Sequence, residues 1–172
     1  LDLSGTNVTD AGMKVVAEFK NLNELCLSGT RVTNVGLKEI AKLVNLKSLW
    51  LSDTGVTDTG LKDLTKLKDL TKLELNGLKI TDAGLKEIAT LKNLKELCLF
   101  GTGVTNNGMK ELAPLQKLEV MYLHNSPVTD TGLKHLTALK NLKQLDMYQL
   151  KVTDEGVSDL RQALPNCRIL KQ

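Results

Sequence analysis

The chain has 172 residues, of which 25% are charged and 3% aromatic, with a formal net charge of +3. No apolar run approaches the roughly 20 residues of a membrane-spanning helix, so insertion in a membrane is excluded, and so mild a positive balance does not point to nucleic acid. Pro, Ser and Gly are concentrated nowhere, so no linker or low-complexity tail divides the chain, and its length fits one domain over 1–172.

The opening residues, Leu1-Asp2-Leu3-Ser4, alternate apolar and polar, as a short strand does. Val8, Thr9, Asp10 and Gly12 follow, and at residue 25 the same order begins again. The strand opening recurs as Leu25, Leu49, Leu73, Leu97, Met121 and Leu145, with a last, terminal strand at Ile169. The Thr returns as Thr33, Thr57, Thr81, Thr105, Thr129 and Thr153, and the Gly three residues later as Gly36, Gly60, Gly84, Gly108, Gly132 and Gly156. Seven in-phase copies of 24 residues predict a solenoid.

Within each copy the period changes. Leu37, Ile40, Leu43 and Leu46 stand three apart, which predicts one buried helical stripe over the second half of the repeat. Thr33 is placed to cap that helix, with Val32 and Leu37 as a hydrophobic staple across its start. An acid follows the Thr in five copies, where it suits the positive helix end. Asp10–Lys14, Asp58–Lys62, Asp82–Lys86 and Asp130–Lys134 have the i, i+4 spacing of ion pairs with the acid first. A Gly in every helix costs propensity, so a neighbouring turn is expected to pack too closely there for a side chain. A strand and a helix repeated seven times give parallel strands with right-handed crossovers, and each unit buries the apolar stripe of the next. Helices are bulkier than strands, so the stack curves with its strands inside.

The run Leu22-x-x-Leu25-x-Leu27-x-x-Thr30-x-Val32 resembles the defining segment of leucine-rich repeats, with Thr30 where Asn or Cys is usual. Val32-Thr33-Asn34-x-Gly36-Leu37 resembles the cysteine-containing subclass, which includes the repeats of F-box substrate receptors; the length of 24 and the Ser-Gly-Thr variant look more like bacterial members. The resemblance covers the whole chain. It implies an α/β fold, a right-handed horseshoe arc with parallel strands on the concave face and short helices on the convex face. It also implies a scaffold for protein binding rather than an enzyme, with no cofactor. A polar ladder through Thr6, Thr30, Thr54, Thr102 and Ser126 is expected to bridge adjacent turns and to break at Leu78 and Leu150.

Leu1 begins inside a repeat, which is expected of a fragment or processed product with an exposed core edge. Ala163-Leu164-Pro165-Asn166-Cys167 resembles a closing repeat. Cys26, Cys98 and Cys167 fall three repeats apart, about 14 Å at strand spacing, too far for disulfides. Unpaired thiols favour a reducing, cytoplasmic compartment, with a secreted or surface location as the alternative.

Of the aromatics, Phe19 holds a core position on the helix side, which then exposes no aromatic. The other four fall at the second or fourth place of a repeat, which point outward onto the concave face. Place four reads Ser4, Ser28, Ser52, Asn76, Phe100, His124, Tyr148; place two reads Asp2, Cys26, Trp50, Glu74, Cys98, Tyr122, Asp146. Aromatics with a polar rim mark binding surfaces. The candidate protein-binding residues are therefore Trp50, Glu74, Cys98, Phe100, Tyr122, His124, Asp146 and Tyr148, acting in a monomer on a protein or peptide ligand. The bland alternatives are strand-propensity aromatics and a structural or surface-display repeat without a dedicated partner. The first functional alternative, on the resemblance alone, is the substrate-recognition domain of an F-box-type ubiquitin-ligase adaptor. Lys14, Lys38, Lys62, Lys86, Lys110 and Lys134 make a ladder on the helix side, interleaved with acids and read as a solvated face. Cys98 and His124 lie on a diagonal about 7 Å apart, loose for a nucleophile and base, and nothing supplies four zinc ligands.

Overall fold

The computed structural model describes residues 1–171. Among these, seven helices alternate with seven strands of three residues each. The strands are β1 (Glu24–Cys26), β2 (Ser48–Trp50), β3 (Lys72–Glu74), β4 (Glu96–Cys98), β5 (Val120–Tyr122), β6 (Gln144–Asp146) and β7 (Arg168–Leu170). They form one parallel sheet in sequence order, and each residue pairs with the residue 24 later. The first opening, around Leu1, is reduced to a single bridge between Asp2 and Cys26. The helices are α1 (Asp10–Val16), α2 (Asn34–Ile40), α3 (Asp58–Leu64), α4 (Asp82–Ile88), α5 (Asn106–Glu111), α6 (Asp130–Leu136) and α7 (Asp154–Ala163). The architecture is the solenoid that the period predicted and the horseshoe arc that the resemblance implied, strands on the concave face and helices on the convex face.

The core is aliphatic and continuous. Leu25, Leu49, Leu73, Leu97, Met121 and Leu145 are fully buried, as are Leu27, Leu51, Leu75, Leu99, Leu123 and Met147. Each helix adds a Leu, Met or Val at the place of Leu37, staple-packed with Val32 and its equivalents.

Several expectations change. The helical stripe stops at Ile40, although Leu43 and Leu46 are buried. Past the helix, the Leu43 N–H bonds the Ile40 carbonyl and the Leu46 N–H bonds the Leu43 carbonyl. Spacing by three suits such i to i+3 turns as well as it suits an α-helix, so periodicity alone overextended the helix. Phe19 is 53% exposed rather than in the core, so the helix side does carry an exposed aromatic. Its counterparts Leu43, Leu67, Leu91, Leu115 and Leu139 are covered by turns on both sides, whereas the first repeat has a neighbour on one side only. Phe19 and Leu1 line an open depression of about 560 Å³ at that end.

The third change concerns the ladder between turns. Thr30 does not bridge repeats: its hydroxyl donates to the Leu27 carbonyl of its own turn, as Thr6, Thr54 and Thr102 do to Leu3, Leu51 and Leu99. Ser126 in the same place has no partner, and Leu78 simply joins the core. The bridge is made instead by the residue after the cap. Asp10 accepts from the Thr33 N–H at 2.7 Å, the Thr33 hydroxyl at 2.7 Å and the Gly36 N–H at 2.9 Å. Asp58, Asp82 and Asp130 grip Thr81, Thr105 and Thr153 through the same backbone N–H and hydroxyl. Among the described residues none of the predicted i, i+4 pairs with Lys forms, because these carboxylates already serve the next repeat.

Asn34 and Asn106 show how the chemistry of this residue is transmitted. Each accepts the next Thr N–H through its oxygen, and its NH2 then donates to the Thr hydroxyl. Thr57 and Thr129, held that way, do not cap their own helices. Thr33, Thr81, Thr105 and Thr153, whose hydroxyls donate to a carboxylate instead, accept from a helix N–H and do cap.

The same side chain explains the Gly. A Cβ on Gly36, Gly60, Gly84, Gly108, Gly132 or Gly156 would stand between 2.3 and 2.6 Å from the preceding Asp or Asn Oδ1. Gly12, with no such residue before it, would meet only Val8 Cγ1 at 3.4 Å.

Candidate functional site

Short strands joined in perfect register turn each outward column of the repeat into a row on the concave face. With Leu25 and its equivalents inward, the residues on either side point out: Trp50 stands beside Glu74, then Cys98, Tyr122 and Asp146. The row before it runs Glu24, Ser48, Lys72, Glu96, Val120, Gln144 and Arg168.

Four of the predicted residues come together as one cluster with His124 at its centre. The His124 ring meets Tyr148 at 5.0 Å, Phe100 at 6.0 Å and Tyr122 at 6.1 Å between centroids, each edge to face. These are the separations and the geometry that aromatic pairs prefer. Phe100 is the most open, at 42% exposure. The His124 Nε2 is enclosed without a hydrogen-bond partner and lies 4.0 Å from Asp146 Oδ2.

Trp50 is not part of that cluster. It stands two strands away from the nearest ring and carries Lys72 over its face, Nζ at 5.4 Å from the ring centroid. Lys72 in turn pairs with Glu96 at 2.8 Å. Glu74 accepts from the Ser52 hydroxyl at 2.6 Å. Glu74, Asn76, Glu96, Cys98, Phe100, Tyr122 and His124 together line a shallow depression of about 360 Å³.

Two predicted residues face the right way but offer little surface. Cys98 and Asp146 are buried among their neighbours on the sheet, at 5% and 7% exposure. Both pair directly with Tyr122 across the sheet, where side chains on adjacent strands sit about 5 Å apart. Asp146 is held by the Gln144 amide at 3.3 Å. Burial, then the charges of Glu74 and Glu96, push the Cys98 thiol up to about 12. A thiol held in its protonated form is a poor nucleophile, and its own polar neighbour is Glu96 Oε1 at 4.0 Å, not His124. Tyr122 is also held above its ordinary value, by burial first and by Glu96 next. No group of three or more His, Cys, Asp or Glu among the described residues is arranged to hold a metal ion.

Sequence reasoning left Lys72, Glu96, Ser52 and Asn76 out of the site. The signal for the first two was present, since opposite charges directly across a parallel pair attract. The Lys ladder is exposed at all six of its positions, as a solvated face would be.

The profile of the family described as Leucine-rich repeat region matches residues 4–172. The chain belongs to the leucine-rich repeat family. No curated protein matches it. Among solved structures the repeat array resembles internalin C2 of Listeria monocytogenes, with a TM-score of 0.73 at 24% identity over 99% of this chain and 80% of that one. A second internalin of the same organism gives a TM-score of 0.69 at 20% identity. It is covered over 99% of this chain, which spans about half of its length, 53%. At these identities the likeness is one of fold. No helix of this leucine-rich repeat protein among the described residues is long and apolar enough to cross a membrane.

Proposed function

We propose that this leucine-rich repeat array is a protein-recognition module that binds a protein or peptide partner on its concave face, across repeats three to seven. The observation that carries the reading is the cluster of Phe100, Tyr122 and Tyr148 around His124. The fold does not require it: Ser4, Ser28 and Ser52 fill the same place in the first three repeats. Aromatic rings on a partly exposed, polar-rimmed sheet bury large area at small entropic cost, which is what binding hot spots use. The proposal assigns the face no cofactor and no covalent step, and it takes the array as a monomer that binds in a standard non-covalent way.

A photo-crosslinking amino acid placed at Tyr122, with one at Lys86 on the convex side as control, captures and names the partner. Replacing Trp50, Tyr122 and Tyr148 together with Ala then weakens that partner by about tenfold or more. A Kd unchanged by the triple replacement, in a protein that still unfolds cooperatively, overturns the reading.

A further inference from the structure

We infer that the concave face takes a cation, the guanidinium of an arginine on an extended basic segment of the partner, in the depression between Phe100, Tyr122 and Glu74. This deepens the recognition reading above and rests on it. The first support is how charge is sorted. The chain is net positive, at +3. Yet the outward strand positions carry Asp2, Glu24, Glu74, Glu96 and Asp146 against only Lys72 and Arg168, so the concave face is acidic and most basic residues lie elsewhere. A partner complementary to that face is basic, and its charge would steer the encounter.

The second support is an internal example of the same chemistry. Lys72 lies over Trp50 at 5.4 Å and pairs with Glu96 at 2.8 Å. A cation between a ring face and a carboxylate is therefore already part of this sheet. The adjoining depression offers the same parts, the rings of Phe100 and Tyr122 beside the carboxylate of Glu74. Glu74 accepts only from the Ser52 hydroxyl and has no basic partner within ion-pair distance among the described residues. The raised Cys98 thiol, after burial, reports the negative field that Glu74 and Glu96 make there. Rings plus a single free carboxylate suit an organic cation better than a metal ion, which needs several oxygen or nitrogen ligands. Among organic cations the flat, weakly hydrated guanidinium both stacks on rings and forks onto a carboxylate.

The test is a titration of the uniformly 15N-labelled chain at low salt with acetyl-Thr-Arg-Thr-Arg-Thr-amide. The same peptide with citrulline for arginine, which keeps the shape and removes the charge, is the comparison. The expected result is saturable shifts at the amides of Phe100 and Tyr122 with the arginine peptide, and binding about fivefold weaker both with citrulline and after Glu74→Gln. Glu74→Gln retains a carbonyl for Ser52, so loss of the fold is not the cause of such a change. Equal affinity for the two peptides, or for the two proteins, overturns the inference. The recognition reading fails separately. If the captured partner is lost on replacing the aromatics but unaffected by Glu74→Gln, the face is a binding surface and the arginine assignment is wrong.

Discussion

The two faces of the solenoid are built on opposite rules. On the seam between consecutive helices the same three residues recur in almost every turn: an Asp or Asn, the Thr it holds in the next repeat, and the Gly that leaves room for it. On the concave face the same place holds Ser in the first three repeats and then Asn, Phe, His and Tyr in succession. Repetition marks what each unit needs from its neighbour in order to stack. Departure from repetition marks positions the stack does not use, and there the aromatic cluster and the acidic groups collect.

That contrast breaks down if seam residues prove dispensable or if concave residues prove to hold the fold. The largest effect is expected at the Gly. Gly84→Ala places a methyl 2.4 Å from Asp58 Oδ1, and should lower stability by about 2–3 kcal/mol in urea unfolding. Gly12→Ala meets nothing closer than 3.4 Å, and should be neutral or stabilising by up to about 1 kcal/mol through helix propensity. Equal losses at both sites would refute the seam's role.

Next is the acceptor itself. Asp82→Ala strips both the Thr105 N–H and the Thr105 hydroxyl of their partner, at about 2 kcal/mol. Asp82→Asn keeps the backbone bond, as Asn34 and Asn106 do, and should lose less than half of that.

On the concave side, Tyr148→Ala removes one edge-to-face contact at 5.0 Å and should cost about 1 kcal/mol of stability, less than either seam change. A larger loss in calorimetry would mean the cluster holds the fold.

The pH dependence sharpens the seam further. Hydrogen bonds from the Thr153 hydroxyl and backbone N–H hold the Asp130 carboxyl below its ordinary value of 3.8. A depressed carboxyl favours the folded state when ionised. Its contribution is therefore complete above pH 3.8 and fades as pH falls through the lower, folded value. Asp130→Asn should flatten that part of the acid-unfolding curve, and more so at low salt, because the group is near solvent.

The smallest effect is in the turn that follows β6. Gln149 adopts φ +62°, where Gly5, Gly29, Gly77 and Gly101 stand in their repeats. Gln149→Gly should stabilise by about 0.5–1 kcal/mol, measured by thermal unfolding.

Most of the fold was legible because its spacing is rigid. A period of 24 set every strand pairing, and a Val or Ile, a Thr, an Asp or Asn and a Gly two places further on set every helix start. The boundaries that went astray have a common cause. Leu43 and Leu46 look helical because three-residue turns share the spacing, and Phe19 looks buried because its position is buried wherever a turn lies on both sides. The site was half legible. Register alone put Phe100, His124 and Tyr148 side by side. It could not show that Trp50 stands apart with Lys72, or that Cys98 and Asp146 are buried, because those outcomes depend on side-chain length and rotamer rather than on place in the repeat.

The sequence by itself determined the solenoid, its seven turns and which columns face inward, since these follow from a repeated pattern of apolar and polar residues that admits one register. Only the tertiary structure decided what each polar column does. The acid after the cap faces a lysine one turn on in its own helix, at the right spacing for a pair. It turns instead to the next repeat, because there it meets a backbone N–H and a hydroxyl held at fixed distance, while a solvated lysine offers a single screened charge.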